Sequence, residues 1–212
     1  MQQPSEAIDA IRLRHGFMSV GELLELTKTG NSVLDPYSTL VAQGVRIGRD
    51  NVIYPGVTIL CASVSECVLG SRNTLWPSTL IIAADGGSVE IGDDNSIGQG
   101  GTQIKANRSG AHIEIGSRTR LLNGPELLGG TTVSDGCQVL GSIVVQSTYL
   151  GGGADHTAAD PDRRGAVLKG SGLARGLTLD RGEVLNGSGE FRQADVERQR
   201  AYHPDAPTED ET

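Results

Sequence analysis

Aromatic residues are scarce in this chain, which argues against a globular core packed around aromatic rings. One tryptophan, four tyrosines and two phenylalanines occur in 212 residues. Glycine is abundant instead, because the 30 glycines are about twice the ~7% of an average protein. A chain of this length forms one domain with appendages. Its core has to be built from aliphatic side chains and closely approaching backbone.

Long apolar runs and paired cysteines are also missing. Gly, Asp or Asn interrupts every apolar stretch, so none approaches the ~18 residues of a transmembrane helix. The polar amino terminus MQQPSEAIDAIRLRHGF is unlike a signal or transit peptide. We therefore expect a cytoplasmic protein without a membrane partner. Cys61, Cys67 and Cys137 form no C-x-x-C pair, which favours small buried hydrophobes over disulfides or a zinc knuckle.

Positive charge is in deficit, since the formal net charge is −8 at pH 7. This balance argues against nucleic acid as a partner, because phosphate binding depends on clustered Lys and Arg. Half of this net negative charge comes from the tail 203–212, which holds four acidic residues. Its polar, acidic and proline-containing composition predicts disorder.

An aliphatic residue recurs at every sixth position over residues 41–191. The blocks IGRDNV, IYPGVT and ILCASV start at Ile47, and after the longest of several interruptions the period resumes at Val167 and Leu173. This spacing is neither the two-residue period of a strand nor the 3.6-residue period of a helix. It predicts an all-β solenoid in which three hexads form one triangular coil. We expect small residues four places after the aliphatics to fill the narrow interior: Val57, Ser63, Thr79, Gly101, Thr131 and Cys137.

The pattern [Ile/Leu/Val]-Gly-x-x-[small]-x resembles the hexapeptide-repeat transferases over residues 41–191. The resemblance implies a left-handed parallel β-helix and a homotrimer. It also implies transfer of an acyl group from a coenzyme A thioester to an amine or hydroxyl of a small metabolite. Because one architecture hosts many unrelated sites, two alternatives stay open. They are a non-catalytic binding or scaffold protein and an enzyme that uses a different activated donor.

Segments at both ends of the repeat predict short helices. Residues 1–40 form a helical cap over the first coil, whose strand edges would otherwise pair with other chains. In this cap, Ser19 and Glu22 make a capping box that opens a helix ending near Gly30. An earlier helix is expected over residues 5–14, and residues 192–202 predict a closing C-terminal helix.

Several coils carry more than eighteen residues, and the extra residues fall late in each coil. The strings SVSECV, AADGGSVE and KANRSGAHIE recur at one phase, so we expect them to stack on one edge. The longest interruption is the loop 151–166, GGGADHTAADPDRRGA. Loops of this length are often functional. The resemblance implies that such a loop reaches a neighbouring subunit and helps to build its active site.

Two of the four histidines are candidate general bases, the usual role of a side chain that titrates near neutral pH. His156 follows Asp155 in the long loop, and His112 lies in the third insertion. The alternative for both is an exposed loop residue. His15 and His203 lie in terminal segments and are expected to be ordinary surface residues.

Cationic side chains cluster at the end of the loop and predict an anion site. Arg163, Arg164 and Lys169 lie beside the Gly-rich start of a strand with Gly170 and Gly172. Such groups suit phosphate or carboxylate, and the resemblance implies acyl-coenzyme A as the co-substrate. Two alternatives are that Asp162 pairs with both arginines to pin the loop, and that the glycines only form tight corners.

Three other classes of enzyme fit poorly. The γ-type carbonic anhydrases share this fold but place three histidines on zinc, whereas these histidines fall in four distant segments, so no metal is expected. Sugar nucleotidyltransferases of this fold begin with a nucleotide-binding domain, for which about forty residues are too few. The strings GQGGTQ and GSGLARG lie in no strand-to-helix unit, which argues against dinucleotide binding.

Overall fold

The computed structural model describes residues 4–208 and begins with two short α-helices, α1 (Pro4–Arg14) and α2 (Val20–Glu25). The predicted capping box opens α2, since the Ser19 hydroxyl accepts the Glu22 N–H at 3.1 Å while the Glu22 carboxylate accepts the Ser19 N–H at 2.7 Å. A 3-10 turn (Leu26–Thr29) follows and ends at Gly30, whose φ of 78° is left-handed. None of the helices among residues 4–208 is long and apolar enough to cross a membrane.

The rest of the chain is built from short strands that recur in threes, one group to each coil. The first four coils contain β1 (Ser32–Val33), β2 (Leu40–Val41), β3 (Val45–Ile47), β4 (Val52–Ile53), β5 (Thr58–Cys61), β6 (Glu66–Leu69), β7 (Thr74–Leu75), β8 (Thr79–Ala83), β9 (Ser88–Ile91), β10 (Ser96–Gln99), β11 (Thr102–Ala106) and β12 (His112–Ile115). The later coils contain β13 (Arg120–Leu122), β14 (Glu126–Leu128), β15 (Thr131–Val133), β16 (Gln138–Leu140), β17 (Ile143–Gln146), β18 (Tyr149–Leu150), β19 (Val167–Arg175), β20 (Thr178–Leu179) and β21 (Glu183–Glu190).

Each strand pairs in parallel with the strand one coil further along, which produces three flat faces. Face one runs through β1, β4, β7, β10, β13 and β16, face two through β2, β5, β8, β11, β14 and β17, and face three through β3, β6, β9, β12, β15, β18 and β20. The longer β19 bends from face one to face two, and β21 pairs with it. This architecture confirms the predicted parallel β-solenoid and is consistent with a left-handed β-helix.

The interior is filled by the repeating aliphatics, as the six-residue period predicts. Ile53, Ile59 and Ile81 are fully buried, and so are the corresponding residues of later coils. Four of the six small residues expected inside are buried, namely Val57, Thr79, Thr131 and Cys137.

Two of the expected interior residues are placed elsewhere, and both lie where the strand register is interrupted. Ser63 is exposed because it belongs to the first insertion. Gly101 is only half-buried because β10 bulges between Ile97 and Gln99, so Thr102 takes the inward position opposite Thr79.

The predicted register after the long loop is wrong by one residue. Leu168 rather than Val167 pairs with the buried Val139, and Ala174 rather than Leu173 occupies the next interior position. The hexad count cannot be carried across an irregular loop, so strand pairing sets the register there. The period is correct again at the buried residues Leu179, Leu185 and Phe191.

A column of buried asparagines runs along one corner of the first coils, which sequence analysis did not anticipate. The members are Asn31, Asn51, Asn73 and Asn95. The side-chain oxygen of each accepts a backbone N–H from the next coil at 2.7–2.9 Å. The side-chain N–H of each donates to a glycine carbonyl at 2.9 Å. The column therefore saturates backbone groups that the corner would otherwise leave unpaired.

The end of the chain forms shorter elements than the helix predicted over residues 192–202. Two 3-10 turns (Gln193–Asp195 and Gln199–Tyr202) flank β22 (Glu197–Arg198), which pairs antiparallel with β21. Tertiary contacts override helix propensity here, because the buried Gln199 side chain donates to backbone carbonyls of Gly165 and Glu183. Of the tail predicted as disordered, residues 209–212 lie outside the described part.

Candidate active site

The loop 151–166 folds back against the solenoid instead of projecting freely. Ala154 pairs with Arg164 as an isolated parallel bridge, and the Gly153 N–H donates to the Asp135 carbonyl at 2.9 Å. A 3-10 turn (Pro161–Arg163) follows, with the Asp160 side chain capping its start. These contacts fix the path of the loop and place its middle residues beside face one.

His156 lies at a cavity of about 370 Å³ between this loop and the coil corners around β10 and β13. The imidazole is exposed to solvent, so it can meet a bound molecule. Its role as a general base stays a prediction. The cavity is lined by Asp94, Ser96, Arg118, Thr119, Arg120, Asp155 and His156.

The surroundings of His156 favour its neutral form. Loss of hydration against the coil surface lowers its pKa below 6.5, and the positive charge of Arg120 lowers it further. Asp155 acts in the opposite direction, and Arg164 adds a smaller lowering effect. A neutral imidazole near pH 7 can accept a proton, which is the requirement for a general base.

Asp155 is engaged within the loop. Its carboxylate accepts the Thr157 N–H at 2.8 Å and the Thr157 hydroxyl at 2.5 Å. These two hydrogen bonds lower the pKa of Asp155. The carboxylate therefore stays charged and stabilises the turn that presents His156.

Two arginines that sequence analysis missed face His156 across the cavity. Arg118 forms an ion pair with Asp135 at 3.1 Å, whereas Arg120 donates to the neutral amide oxygen of Gln138 at 3.2 Å. No ion pair found among residues 6–208 involves Arg120, so its charge is open to an anion. The signal in the sequence was its outward position in the hexad IGSRTR, but identifying its neighbours required the strand register.

Two of the predicted anion-binding residues lie together at a second cavity of about 240 Å³ on face one. Arg164 and Lys169 both line it, and Arg164 Nε also donates to the Ala158 carbonyl at 2.7 Å. His203, expected to be an ordinary surface residue, lines the same cavity, 3.5 Å from the Arg164 guanidinium. The remaining lining residues are Gln138, Leu140, Val167, Val184, Asn186, Gln199 and Tyr202.

The other predicted cofactor-binding residues lie apart from these two cavities. Arg163 ends the 3-10 turn, and its carbonyl accepts the Ala154 N–H at 2.7 Å. Gly170 and Gly172 have φ values of +124° and +135°, and a Cβ at either position would collide with a carbonyl oxygen of the next coil. Close packing of β19 against β21 therefore requires both glycines, while a role in cofactor binding stays a prediction.

His112 belongs to a different part of the surface. It opens β12 on face three, is exposed, and its Nδ1 lies 2.8 Å from the Ser88 hydroxyl. The three insertions stack between faces two and three as predicted, and the third forms a cavity of about 270 Å³ around Asn107 and Arg108. His112 and His156 are thus not brought into one site.

The loop is pinned by acidic residues, although not in the way that sequence analysis considered. Asp162 forms ion pairs with Arg198, at 2.7 Å, and with Arg200. Asp160 also pairs with Arg200. The partners of both carboxylates therefore come from the end of the chain, rather than from Arg163 and Arg164.

Metal ligands are not grouped in the part of the chain that the structure describes. No three His, Cys, Asp or Glu side chains there are close enough to hold an ion. Cys67 and Cys137 are buried, and burial raises the pKa of each thiol to about 12. These two thiols are packing groups, in agreement with the sequence-based interpretation, whereas Cys61 is only half-buried.

Comparison with known proteins shows that the chain is similar to proteins named bifunctional protein GlmU. It is 32% identical to GlmU of Mycolicibacterium smegmatis over 134 residues, which cover 58% of this chain and 25% of that protein. It is 30% identical to GlmU of Nocardia farcinica over 150 residues, which cover 61% of this chain and 30% of that protein. The chain thus spans less than a third of the length of these relatives. No family model matches it.

Proposed function

The chain belongs to the hexapeptide-repeat transferase family, and from this premise we propose that it transfers an acyl group from a coenzyme A thioester to an amine or hydroxyl of a small metabolite. The six-residue period, the parallel solenoid and the similarity to GlmU over more than half of the chain support this proposal. The observation that carries it is the position of His156 at an open cavity that two arginines also line. The pKa of His156 is lowered there, which favours the neutral imidazole that a base requires.

In the proposed reaction, the imidazole of His156 removes a proton from the acceptor amine or hydroxyl as that group attacks the thioester carbonyl. The tetrahedral oxyanion that forms would be held by a backbone N–H, as in other acyl transfers. Collapse of this intermediate breaks the carbon–sulfur bond. The imidazolium then returns the proton to the departing coenzyme A thiolate, so His156 ends in its starting form.

The cationic groups supply binding rather than chemistry in this proposal. Arg120 faces the His156 cavity, and Arg164 and Lys169 line the neighbouring one. They would hold a phosphate of the co-substrate or a carboxylate of the acceptor. Arg163 remains a candidate for the same role on the outer side of the loop.

Assembly into a homotrimer is part of the proposal, as the repeat family implies and as closed symmetry favours. Light scattering should then give a mass three times the 22.2 kDa of one chain. A particle of 22.2 kDa would exclude the trimer. A cytoplasmic location likewise stays a prediction.

The function is tested first by binding and then by turnover. Acetyl-coenzyme A, coenzyme A and nucleotide sugars are each added to the purified protein, since a ligand of the folded state raises the melting temperature. Release of free coenzyme A thiol is then followed with a panel of small amines and alcohols. A shift with coenzyme A and acceptor-dependent thiol release are expected.

The choice of base is tested with three matched substitutions. His156→Gln should lower turnover by about 10²–10⁴-fold, the usual contribution of a general base, while His15→Gln, in a terminal segment, should leave it unchanged. A loss in His112→Gln with full activity in His156→Gln would move the base to the third insertion. If neither binding nor turnover is detected with any acyl donor, a scaffold protein or an enzyme with a different activated donor is favoured.

A further inference from the structure

The second cavity on face one has the charge of an anion site. Arg164, Lys169 and His203 line it, and none of its lining residues is Asp or Glu. Lys169 is exposed on β19, and the ion pairs formed within the described chain do not include it. A negative group placed here would therefore meet cations in the lining itself, while the nearby Glu197 carboxylate accepts the Tyr202 hydroxyl.

The floor of this cavity is apolar, although its residues point away from the core. Val167 and Val184 are paired across adjacent coils, and each is only 6% exposed. Leu140 lies beside them on the same outer face, next to Lys169 in the strand register. β22 pairs with β21 beside Val184, so the two valines form the closed base of the cavity, while Leu140 and Tyr202 offer the more exposed apolar surface. A bound molecule would thus meet an apolar surface beneath the cations.

The wall contributed by the C-terminal segment, residues 193–203, is held in place by specific contacts. Gln199 is 5% exposed, and its side-chain N–H groups donate to the Gly165 carbonyl at 2.8 Å and the Glu183 carbonyl at 3.1 Å. Arg198 and Arg200 pair with carboxylates of the loop. Tyr202 and His203 follow directly and line the cavity. The cavity therefore has a fixed shape.

We propose that this cavity, closed by the C-terminal segment, binds a small organic anion with an apolar body. The anionic group, a carboxylate or a phosphate monoester, would lie between Arg164 and Lys169, and the apolar body would contact Leu140 and Tyr202 above the two valines. A volume of about 240 Å³ is below the ~300–1,000 Å³ of most ligand sites, which selects a short chain or single ring.

The second cavity adjoins the first, which gives its ligand a place in the proposed reaction. Gln138 lines the second cavity and accepts a hydrogen bond from Arg120, which lines the His156 cavity. Arg164 lines the second cavity and also lowers the pKa of His156. Resting on the proposed function, the ligand is the acyl acceptor, anchored by its anionic end with its amine or hydroxyl directed toward His156.

Binding is tested on the full chain without any acyl donor. Benzoate, hexanoate, phenyl phosphate and inorganic phosphate are titrated by calorimetry. We expect the organic anions to bind, with benzoate and phenyl phosphate separating the carboxylate from the phosphate. Inorganic phosphate should bind about tenfold more weakly than phenyl phosphate, because it leaves the apolar surface of Leu140 and Tyr202 uncovered. Equal affinity for the two phosphates, or no binding by any probe, would overturn the proposal.

Variants then locate the site and separate this inference from the acyltransferase proposal. Lys169→Gln should weaken benzoate binding by about tenfold, Lys169→Arg should restore it, and Lys28→Gln, on the exposed N-terminal 3-10 turn, should have no effect. Unchanged affinity in Lys169→Gln would overturn the site even if acyl transfer is found. Benzoate binding that depends on Lys169 would support the site even if coenzyme A does not bind.

Discussion

The side-chain oxygen of Asn73 accepts the backbone N–H of Asn95 at 2.9 Å, and the same contact links successive coils from Asn31 to Thr119. Each asparagine follows a residue with left-handed φ, such as Asp94 at 60°, where the chain turns the corner. Such a turn leaves backbone groups without strand partners. A side chain that both accepts and donates can satisfy two of them at once.

Asn73→Ala should therefore destabilise the fold more than an ordinary surface substitution. It leaves the buried N–H of Asn95 and the carbonyl of Gly92 without a partner. We expect a loss of about 2–6 kcal/mol in the free energy of unfolding, at ~1–3 kcal/mol for each of the two orphaned groups. Urea denaturation measures this difference. Asn107→Ala makes the same change in an exposed insertion and should cost below ~0.5 kcal/mol. Equal losses in both variants would refute a structural role of the column.

Sequence periodicity was sufficient for the solenoid because one physical rule generates it. A narrow coil admits a large aliphatic only at the centre of each flat side, so the six-residue spacing directly reports the fold. The rule stops where the backbone is irregular. The bulge after Ile97 moved the interior position to Thr102, and the long loop moved it to Leu168. In both cases pairing with the previous coil determines the register.

The candidate site was harder to predict because it joins residues that are distant in the chain. His156, Arg164 and Lys169 were identified from their residue types and clustering in the sequence. Arg120 was missed because its closeness to His156 depends on how the loop folds over β13. The role of the C-terminal segment was missed because Arg200 meets Asp162 across 38 residues. Propensity alone favoured a helix there.

Asp162 should determine whether the C-terminal segment stays docked. Replacing Asp162 with Asn removes the charge that holds Arg198 and Arg200. We expect faster tryptic cleavage after these two arginines, with a loss of about 1 kcal/mol in the free energy of unfolding, since exposed pairs contribute ~0.2–1 kcal/mol each. Asp195→Asn is the matched control, because it breaks an exposed pair with Arg192 in the same segment. If the rate of tryptic cleavage is unchanged in Asp162→Asn, Gln199 holds the C-terminal segment without the ion pairs.

The ion pairs of Asp162 with Arg198 and Arg200 give the wild-type protein a defined response to acid. Hydrogen bonds from Arg200 and then Arg198 lower the pKa of Asp162 below its ordinary 3.8. The stabilisation from this group is therefore fully present above 3.8 and is lost as the pH falls through the lower folded value. Cleavage by an acid-active protease near residues 198–200 should accelerate only below pH 3.8. Acceleration at higher pH would show that another group controls docking.

The pH dependence of acyl transfer should report the charge of Arg120 on His156. Because hydration loss and Arg120 both lower the pKa of His156, its neutral form persists below pH 6.5. We expect the acid limb of the kcat/KM profile of the wild-type protein to fall below pH 6.5, since this parameter reports ionisation in the free enzyme. Arg120→Gln removes one cause of the lowering, so the limb should move to higher pH.

Arg118→Gln is the matched control, because Arg118 lines the same cavity but pairs with Asp135 and is not among the causes of the shift. A limb that moves equally in both variants would assign the effect to the general charge of the cavity. A limb that does not move in either variant would mean that a group other than His156 is the base, because the electrostatic contact between Arg120 and His156 is present whether or not substrate is bound.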